Sequence, residues 1–408
     1  MKKIGFLFLL VPCWAWAQVK GTVVSETTRQ PVPFASVFIN NSTIGTTTDE
    51  NGRFSLSRLT AGKHELVVSV LGFEKLATVI TVPMEQPLNI RLREKSTALD
   101  QVTVKAFDKD GWETWGSLFI ESFIGTTANA GRTDLKNPKD LRFRHNKQDN
   151  TLEVFAVAPL KIQNKSLGYD MEYHLELFRI DFNSHTNLYA GYPFFKENKK
   201  ISKRNIKNRE ETYDASLLKF MRSLYYNTVQ ADGYSIRKMV ELPNLEKQRI
   251  KALRDKYTIK EQDASGRLIS VSGPAYPQEI YTADSLSYFR KILGQPDSKF
   301  SLYKDTIPTR QLVLTDVAGT KKLYFRDFLY VVNTLHKEDP RYISYKNEKR
   351  VPAPQTSFLR MLDDISIEIE PNGNYFPPLN LFSGDYWGWS NKIADLLPLD
   401  YKPRSSTP

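Results

Sequence analysis

Thiols, histidines and long apolar runs are scarce in this chain. Among its 408 residues there is one cysteine, Cys13, and there are five histidines. A single cysteine cannot form an intramolecular disulfide, so a disulfide-stapled scaffold is excluded and the fold must rely on a hydrophobic core. Beyond the N terminus no run of about 18 apolar residues occurs, so we predict no transmembrane span.

The N terminus reads MKKIGFLFLLVPCWAWAQ, with two lysines, an apolar run and the small-residue pattern Ala15-Trp16-Ala17. This arrangement is typical of a secretory signal peptide, so we predict cleavage after residue 17. A lipoprotein signal ending before Cys13 is the alternative, but Pro12 stands where such signals carry a small residue. We therefore expect an exported protein without a thiol, located in the periplasm or associated with the outer membrane.

Short runs of alternating polar and apolar residues occupy positions 18–106 and are separated by Gly, Pro, Asn and Asp. Many short strands at nearly regular spacing predict an antiparallel β-sandwich. The side chains that we expect to face its core include Phe54, Leu56, Leu66, Val68, Val70 and Val79.

The stretch GTTTDENGRF, residues 45–54, predicts a tight turn between two of these strands. Asp49 can accept a hydrogen bond from the backbone two residues later, and Gly52 can adopt the positive φ that closes such a turn. A calcium loop is the alternative, but a third spaced ligand and the closing bidentate glutamate are missing.

The same region resembles the carboxypeptidase regulatory-like domain, a transthyretin-like β-sandwich that is common in exported proteins of Bacteroidetes-type bacteria. The resemblance rests on Gly21, PxAxV at 33–37, GTxTDxxGxF at 45–54, LxxG at 59–62, Gly72-Phe73 and the closing LDQVTV at 99–104. It implies a sandwich and an envelope context. It implies no carboxypeptidase activity, because this is an accessory domain.

The histidine spacing excludes a zinc carboxypeptidase downstream of the sandwich. Such a site needs His-x-x-Glu and a distant histidine, which leave one coordination position open for water. The five histidines stand in KHEL, RHNK, YHLE, SHTN and LHKE, and none has a glutamate three residues later.

Residues 107–408 predict a larger α+β domain dominated by antiparallel sheet. Alternating runs at 152–157 and 169–182 predict strands, and a helix is predicted over 209–230. The apolar face of that helix comprises Tyr213, Leu217, Phe220 and Leu224. Parts of this region resemble the uncharacterised region that follows the same sandwich in a group of bacterial envelope proteins, which implies no activity. The predicted fold class is mainly β, with a seven-stranded transthyretin-like antiparallel sandwich before the α+β domain.

Two sets of carboxylates are candidate sites. In YDMEYHLELF, period-two alternation places Glu172, His174 and Glu176 on one face of a strand, about 7 Å apart, where they could bind a metal or transfer a proton. In DDISIEIE, Glu368 and Glu370 point away from Ile365 and its apolar neighbours, and a pair of carboxyl groups could serve a glycoside hydrolase. A solvated sheet face is the ordinary interpretation of both patterns.

Two further sets are candidates for binding. Tyr386, Trp387 and Trp389 stand in an aromatic-rich stretch that could stack on sugars, although such side chains more often close a core. The connector KENKKISKRNIKNREE contains Lys199, Lys200, Lys203 and Arg204, the densest positive patch in a chain of net charge +11. This patch predicts either a solvated loop or contact with an anionic membrane surface.

The sequence thus predicts a signal peptide at 1–17, the sandwich at 18–106 and an uncharacterised domain at 107–408. We expect a non-enzymatic envelope protein that binds or scaffolds another envelope component, with an envelope protein, a glycan or an anionic membrane surface as partner. No cofactor, metal or nucleic acid is expected. The alternative is an unrecognised hydrolase or a glycan-binding protein that acts through the second domain.

Overall fold

The chain is mainly β, with more residues in strands than in helices. The computed structural model describes residues 17–95, 107–257, 259–262, 268–271 and 282–404. The predicted signal peptide, apart from its last residue, and the closing LDQVTV motif at 99–104 lie outside these ranges. No helix within these ranges is both long and apolar enough to cross a membrane.

Seven strands form the N-terminal sandwich. They are β1 (Ala17–Ser25), β2 (Ser36–Ile39), β3 (Gly45–Thr47), β4 (Arg53–Leu59), β5 (Gly62–Ser69), β6 (Leu76–Val82) and β7 (Leu88–Leu92). One sheet has the order β4-β1-β7 and the other the order β3-β2-β5-β6. The neighbouring strands are antiparallel except β1 and β7, which are parallel. The apolar faces of the two sheets share one core that contains Val23, Val37 and Leu59.

The predicted core of the sandwich is right except in β6. Phe54, Leu56, Leu66 and Val68 are buried, and Val70 is partly buried. Val79 is 50% exposed, and Ile80 and Val82 face the core instead. The predicted phase of β6 was wrong because Val79 and Ile80 are both apolar, so the alternation does not distinguish the two faces. Val79 pairs with Glu65 of β5.

The turn between β3 and β4 has the predicted geometry. One carboxylate oxygen of Asp49 accepts hydrogen bonds from the backbone N–H groups of Asn51 at 2.9 Å and Arg53 at 2.8 Å. Gly52 has a φ of +70°, and a Cβ there would lie 2.4 Å from the carbonyl oxygen of Val23. A glycine is therefore required at this position.

The first part of the α+β region packs one helix on a six-stranded sheet. Its elements are α1 (Gly111–Phe123), β8 (Thr133–Leu135), β9 (Leu141–Asn146), β10 (Thr151–Ala156), β11 (Leu160–Asn164), β12 (Tyr169–Asp181) and β13 (Thr186–Glu197). The order is β8-β11-β12-β10-β9, and β13 also pairs with β12. Phe119 of α1 packs on Phe178 of β12, with ring centroids 4.8 Å apart.

Two helices occupy the place of the one predicted at 209–230. They are α2 (Lys203–Ala215) and α3 (Leu217–Tyr226). Ser216 lies between them with a ψ of 153°, and its hydroxyl accepts the N–H of Lys219 to cap α3. Tyr213 packs into the core beneath the first sheet, whereas Leu217, Phe220 and Leu224 pack into a second core. The apolar periodicity continues across Ser216, which is why the sequence predicted one helix.

The remaining elements build the second core and a small separate cluster around Ile250, Phe289 and Ile292. They are β14 (Tyr234–Pro243), α4 (Leu245–Tyr257), β15 (Ile259–Gln262), β16 (Leu268–Val271), α5 (Ala283–Leu293), β17 (Ser298–Thr306), α6 (Thr309–Leu312), β18 (Val313–Thr315), β19 (Lys321–Leu323), β20 (Phe328–Lys337), α7 (Pro340–Tyr345), β21 (Pro354–Met361), β22 (Ile367–Ile369), β23 (Tyr375–Phe376), β24 (Leu381–Asp385) and α8 (Tyr386–Ser390). The main sheet has the order β17-β14-β20-β21-β24, and a smaller one has the order β18-β19-β22-β23.

Residues 391–401 connect all three parts of the fold. The side-chain amide of Asn164, in β11, donates to the carbonyl of Ala394 at 2.8 Å. The guanidinium of Arg222, in α3, donates to the carbonyl of Leu399 at 2.9 Å. The N–H of Leu399 donates to the carbonyl of Asn41, in the sandwich, at 2.7 Å. This segment therefore contacts the sandwich, the first sheet of the α+β region and α3.

Candidate functional site

Glu172, His174 and Glu176 do not converge on a common site. Glu172 forms an ion pair with Lys196 of β13 at 2.5 Å. The pairing of β12 with β13 shifts between residues 175 and 177, so Glu176 is the extra residue of a bulge, and it forms an ion pair with Lys75 of the sandwich. The expectation of three aligned side chains is wrong because the bulge interrupts the alternation.

His174 is covered by the sandwich instead of facing solvent. Its ring is 8% exposed and stacks on Phe38 of β2. Burial, with a smaller effect of Lys75, lowers the pKa of His174 to about 4. Within the described ranges, no group of three His, Cys, Asp or Glu side chains has a geometry that could hold a metal ion.

Glu368 and Glu370 also contact the sandwich. The ammonium of Lys63, in β5, pairs with the carboxylate of Glu368. The backbone N–H of Lys63 donates to Glu370 at 3.2 Å, and burial raises the pKa of Glu370. Ile365, expected to point inward, is 57% exposed because β22 begins only at Ile367.

A third contact between the two parts uses the loop after β2. The N–H of Asn41 donates to the carbonyl of Pro193 at 2.8 Å, and the N–H of Thr43 donates to Asp400 at 2.9 Å. A Cβ on Gly45 would lie 2.5 Å from the ring of Phe194. Three separate places on the sandwich are therefore held against the α+β region. We call this set of contacts the docking interface.

The C-terminal aromatic residues form part of the core. Tyr386, Trp387 and Trp389 are each at most 5% exposed. The indole N–H of Trp387 donates to the carbonyl of Ala215 at 3.0 Å, and that of Trp389 donates to the hydroxyl of Thr126 at 2.8 Å. These rings cannot serve as an exposed platform for sugars. The core interpretation of this stretch accounts for its composition.

The basic connector lies on the surface, between β13 and the first turn of α2. Lys199, Lys200, Lys203 and Arg204 are exposed, and none of them forms an ion pair with a described residue. Ser202 caps α2 by accepting the N–H of Asn205 at 3.1 Å. The four cations are free to meet an anionic surface, and they are equally compatible with a solvated loop.

A cleft of about 1140 Å³ opens in the α+β region, and Asn41 is the one residue of the sandwich among those that line it. Its walls come from α1, the connection between β12 and β13, α3, α7, β24 and residues 391–399. The cleft thus lies where the first sheet meets the elements of the second core. It is larger than the 300–1,000 Å³ of an ordinary small-molecule pocket.

Lys392 lies in this cleft without a counter-ion. Its ammonium is 3.4 Å from the side-chain oxygen of Asn187 and 5.6 Å from the centroid of the Tyr189 ring. It forms no ion pair with any described carboxylate. Burial lowers the pKa of Lys392 to about 8.

Asp395 lies one helical turn further along the same segment. Its carboxylate accepts hydrogen bonds from the hydroxyl of Thr127 and the amide of Asn129, both at 2.6 Å. Burial raises the pKa of Asp395 to about 6. The pKa values of Lys392 and Asp395 are both shifted in the direction that favours the uncharged form. Ionisable groups with shifted pKa values in a cleft are typical of functional sites.

Lys392 and Asp395 were not among the sequence candidates. They stand in SNKIADLLPLD, where their spacing matches no motif. A lysine without a counter-ion is a property of the tertiary structure, so no local signal could have revealed it. The aromatic stretch before them was the nearest signal, and it belongs to the core.

The N-terminal region has relatives among known proteins. Residues 19–104 match the CarboxypepD_reg-like domain. The TonB-dependent receptor SusC of Bacteroides thetaiotaomicron is 31% identical over 101 residues, which are 25% of this chain and 10% of the receptor. The chain therefore spans about a tenth of the length of that curated relative.

Comparison with solved structures gives weaker overlaps. A protein of unknown function from Bacteroides fragilis is 11% identical, and the overlap covers 87% of this chain and 93% of that one with a TM-score of 0.17. A cohesin–X-dockerin complex from Acetivibrio cellulolyticus is 21% identical over 19% of this chain and 58% of that one, again with a TM-score of 0.17. TM-scores this low do not indicate a shared fold.

The family match covers the strands of the sandwich and confirms the resemblance that the sequence motifs predicted. The similarity to SusC fits a protein of Bacteroidetes type, and the two matches together indicate an envelope-associated protein. Residues 19–104 of this chain are a CarboxypepD_reg-like domain.

Proposed function

We propose that the chain is a non-enzymatic protein, exported to the periplasm or the outer membrane, that binds or scaffolds another envelope component. The observation that carries this proposal is the docking interface. Lys75 and Lys63 of the sandwich form ion pairs with Glu176 and Glu368 of the α+β region. The sandwich and the α+β region are therefore held in contact, so that one partner can bind both of them at once.

The docking interface engages side chains that a hydrolase would need for catalysis. A general acid or a nucleophile must reach the substrate, whereas Glu368 is paired with Lys63 and Glu370 accepts a backbone N–H of the sandwich. His174 is stacked beneath Phe38 and stays neutral near pH 7 because its pKa is about 4. These contacts favour a structural role for all three side chains over the hydrolase alternative.

Two further observations support an exported envelope protein. The sequence begins with a pattern typical of a signal peptide. The sandwich is similar to part of the TonB-dependent receptor SusC of Bacteroides thetaiotaomicron. A binding role in the same compartment agrees with both features.

The proposal is tested by crosslinking in cells that express the full chain with a C-terminal tag. We expect fractionation to place the protein in the envelope, and we expect one envelope component to be captured reproducibly. A variant with Lys63→Glu and Lys75→Glu, which places like charges across the docking interface, should lose that component if the composite surface binds it. Retention in the cytoplasm, or capture of no specific component, would reject the proposal. Turnover of envelope glycans that Glu368→Gln abolishes would establish the hydrolase alternative.

A further inference from the structure

We infer that the cleft beside Lys392 binds a carboxylate-bearing saccharide, with the Lys392 ammonium as the partner of the carboxylate. This inference rests on the proposed binding role and names the ligand class of one site. It uses residues that belong neither to the docking interface nor to the basic connector.

The position of Lys392 requires an explanation. A cation that is largely withdrawn from water is costly unless an anion or several hydrogen bonds compensate it. The described surroundings of its ammonium offer one amide oxygen, that of Asn187, at 3.4 Å, and the ring of Tyr189. An incoming carboxylate would supply the missing charge at hydrogen-bond distance.

The other lysine and arginine side chains that line the cleft already have carboxylate partners. Lys346 pairs with Asp385 at 3.5 Å. Arg341 pairs with Asp339 at 3.4 Å. The carboxylate of Asp395 accepts two hydrogen bonds from neighbouring side chains. Lys392 is therefore the unmatched cation among these groups, and a ligand anion would be directed to it.

The size and lining of the cleft indicate the rest of the ligand. At about 1140 Å³ the cleft can hold several linked rings. Its walls combine amide side chains, including Asn187 and Asn374, with the partly exposed rings of Tyr189, Tyr375 and Phe382. Amides bond sugar hydroxyl groups, and ring faces cover the apolar C–H faces of sugars.

A carboxylate fits this site better than a phosphate. Phosphate recognition in proteins relies on forked guanidinium contacts or on clusters of backbone N–H groups. Lys392 is a single point charge, and Arg341, the arginine among the described residues of the cleft, is already paired with Asp339. One monoanion matches this single charge.

Isothermal titration of the full chain with oligogalacturonate, a chain of carboxylate-bearing sugars, tests the inference. We expect binding that weakens at least tenfold in Lys392→Gln and is unchanged in Lys20→Gln, which replaces an exposed lysine of β1 outside both the cleft and the basic connector. A neutral galacto-oligosaccharide of the same length should bind at least tenfold more weakly. Equal binding by wild type and Lys392→Gln, equal binding of the neutral oligomer, or no binding of oligogalacturonate would overturn the inference.

A second measurement uses the unmodified protein and does not depend on the folding of a variant. Acetic anhydride labels amines, and mass spectrometry reads the labelling of Lys392 directly. Oligogalacturonate should protect Lys392 and leave Lys20 labelled, whereas labelling of Lys392 at an unchanged rate would contradict the inference. Protection by an acidic peptide but not by the saccharide would reject a saccharide ligand. If oligogalacturonate does not bind but an envelope component is still captured by Lys392→Gln, this inference fails and the proposed function stands.

Discussion

The imidazole of His174 stacks on the phenyl ring of Phe38, with ring centroids 5.4 Å apart and an angle of 27° between the planes. The pair joins a strand of the sandwich to the central strand of the first α+β sheet. Phe38 is fully buried and also packs on Phe194 at 5.1 Å. The ring of Phe38 thus links two parts of the chain that the sequence places far apart.

Replacing Phe38 by alanine should destabilise the protein strongly. Removal of a fully buried phenyl ring typically costs about 3–5 kcal/mol, because transfer energy is lost and a cavity is left. Urea unfolding followed by fluorescence measures the change. Leu71→Ala is the control, because Leu71 is 97% exposed and its truncation should change the free energy of unfolding by less than about 0.5 kcal/mol. A loss below about 1 kcal/mol for Phe38→Ala would show that the docking interface is weak.

His174 should make the protein less stable in acid. Its folded pKa, about 4, lies below the ordinary value of 6.5, so the unfolded chain binds more protons between these two values. Stability is therefore fully present above about pH 6.5 and falls as the pH drops towards 4, by on the order of 3 kcal/mol. His174→Phe keeps the stacked ring and should remove this slope from urea unfolding curves. His336→Gln should leave the slope in place, and an unchanged slope in His174→Phe would contradict the prediction.

Asp395 should change the stability of the protein with pH in the opposite direction from His174. Its folded pKa, about 6, lies above the ordinary value of 3.8, so the folded protein binds more protons between these values. The contribution of Asp395 to stability therefore falls as the pH rises from about 4 to 6. In Asp395→Asn this fall should disappear, so that the acid sensitivity from His174 becomes steeper in melting curves between pH 4 and 6. Parallel curves for wild type and variant would show that Asp395 keeps an ordinary pKa.

Exchanging the charges of Lys63 and Glu368 should restore the stability that each single charge reversal removes. Both side chains are partly exposed, so the pair itself contributes at most about 1 kcal/mol. Lys63→Glu places a third carboxylate beside Glu368 and Glu370, and this repulsion should lower the melting temperature more than Lys63→Met does. The double variant with Lys63→Glu and Glu368→Lys should recover most of the loss. No recovery would mean that the two side chains do not meet in solution.

The basic connector should bind anionic membranes if it acts as a tether. Replacing Lys199, Lys200, Lys203 and Arg204 by glutamine removes four exposed cations, each contributing about 1 kcal/mol at an anionic surface. Co-sedimentation with anionic vesicles at low salt should detect binding of the wild type that the variant loses. Binding should also weaken with added salt, because exposed charges are screened over about 10 Å at 0.1 M. Wild-type protein that stays in the supernatant at low salt would leave only the solvated loop.

The sandwich could be predicted because its signals are local. The turn at Asp49 and Gly52 follows from the chemistry of four or five neighbouring residues, and the strands follow from period-two alternation. The phase of β6 could not be predicted, because Val79 and Ile80 are equally apolar. The break at Ser216 could not be predicted either, because the helices before and after it pack into separate cores, which only the tertiary structure shows.

The candidate sites were harder to predict because burial is a long-range property. The face that carries His174 alternates as a solvated sheet face does, yet Phe38 covers it from more than a hundred residues away. Lys63 and Glu368 also contact each other although they are far apart in the sequence, so local alternation does not reveal their pairing. Lys392 gave no sequence signal, because only the packing around it determines that no described carboxylate forms an ion pair with it.

The segment 391–401 has a consequence for the order of assembly. A chain made from its N terminus has completed the sandwich and both sheets before this segment exists. Until then Asn41, Asn164 and Arg222 lack the carbonyl and N–H groups to which they are bonded in the native fold. A nascent or proteolytically shortened chain that stops before residue 391 therefore keeps the ion pairs of the docking interface but lacks these three hydrogen bonds, so its three parts are held together less firmly than in the complete fold.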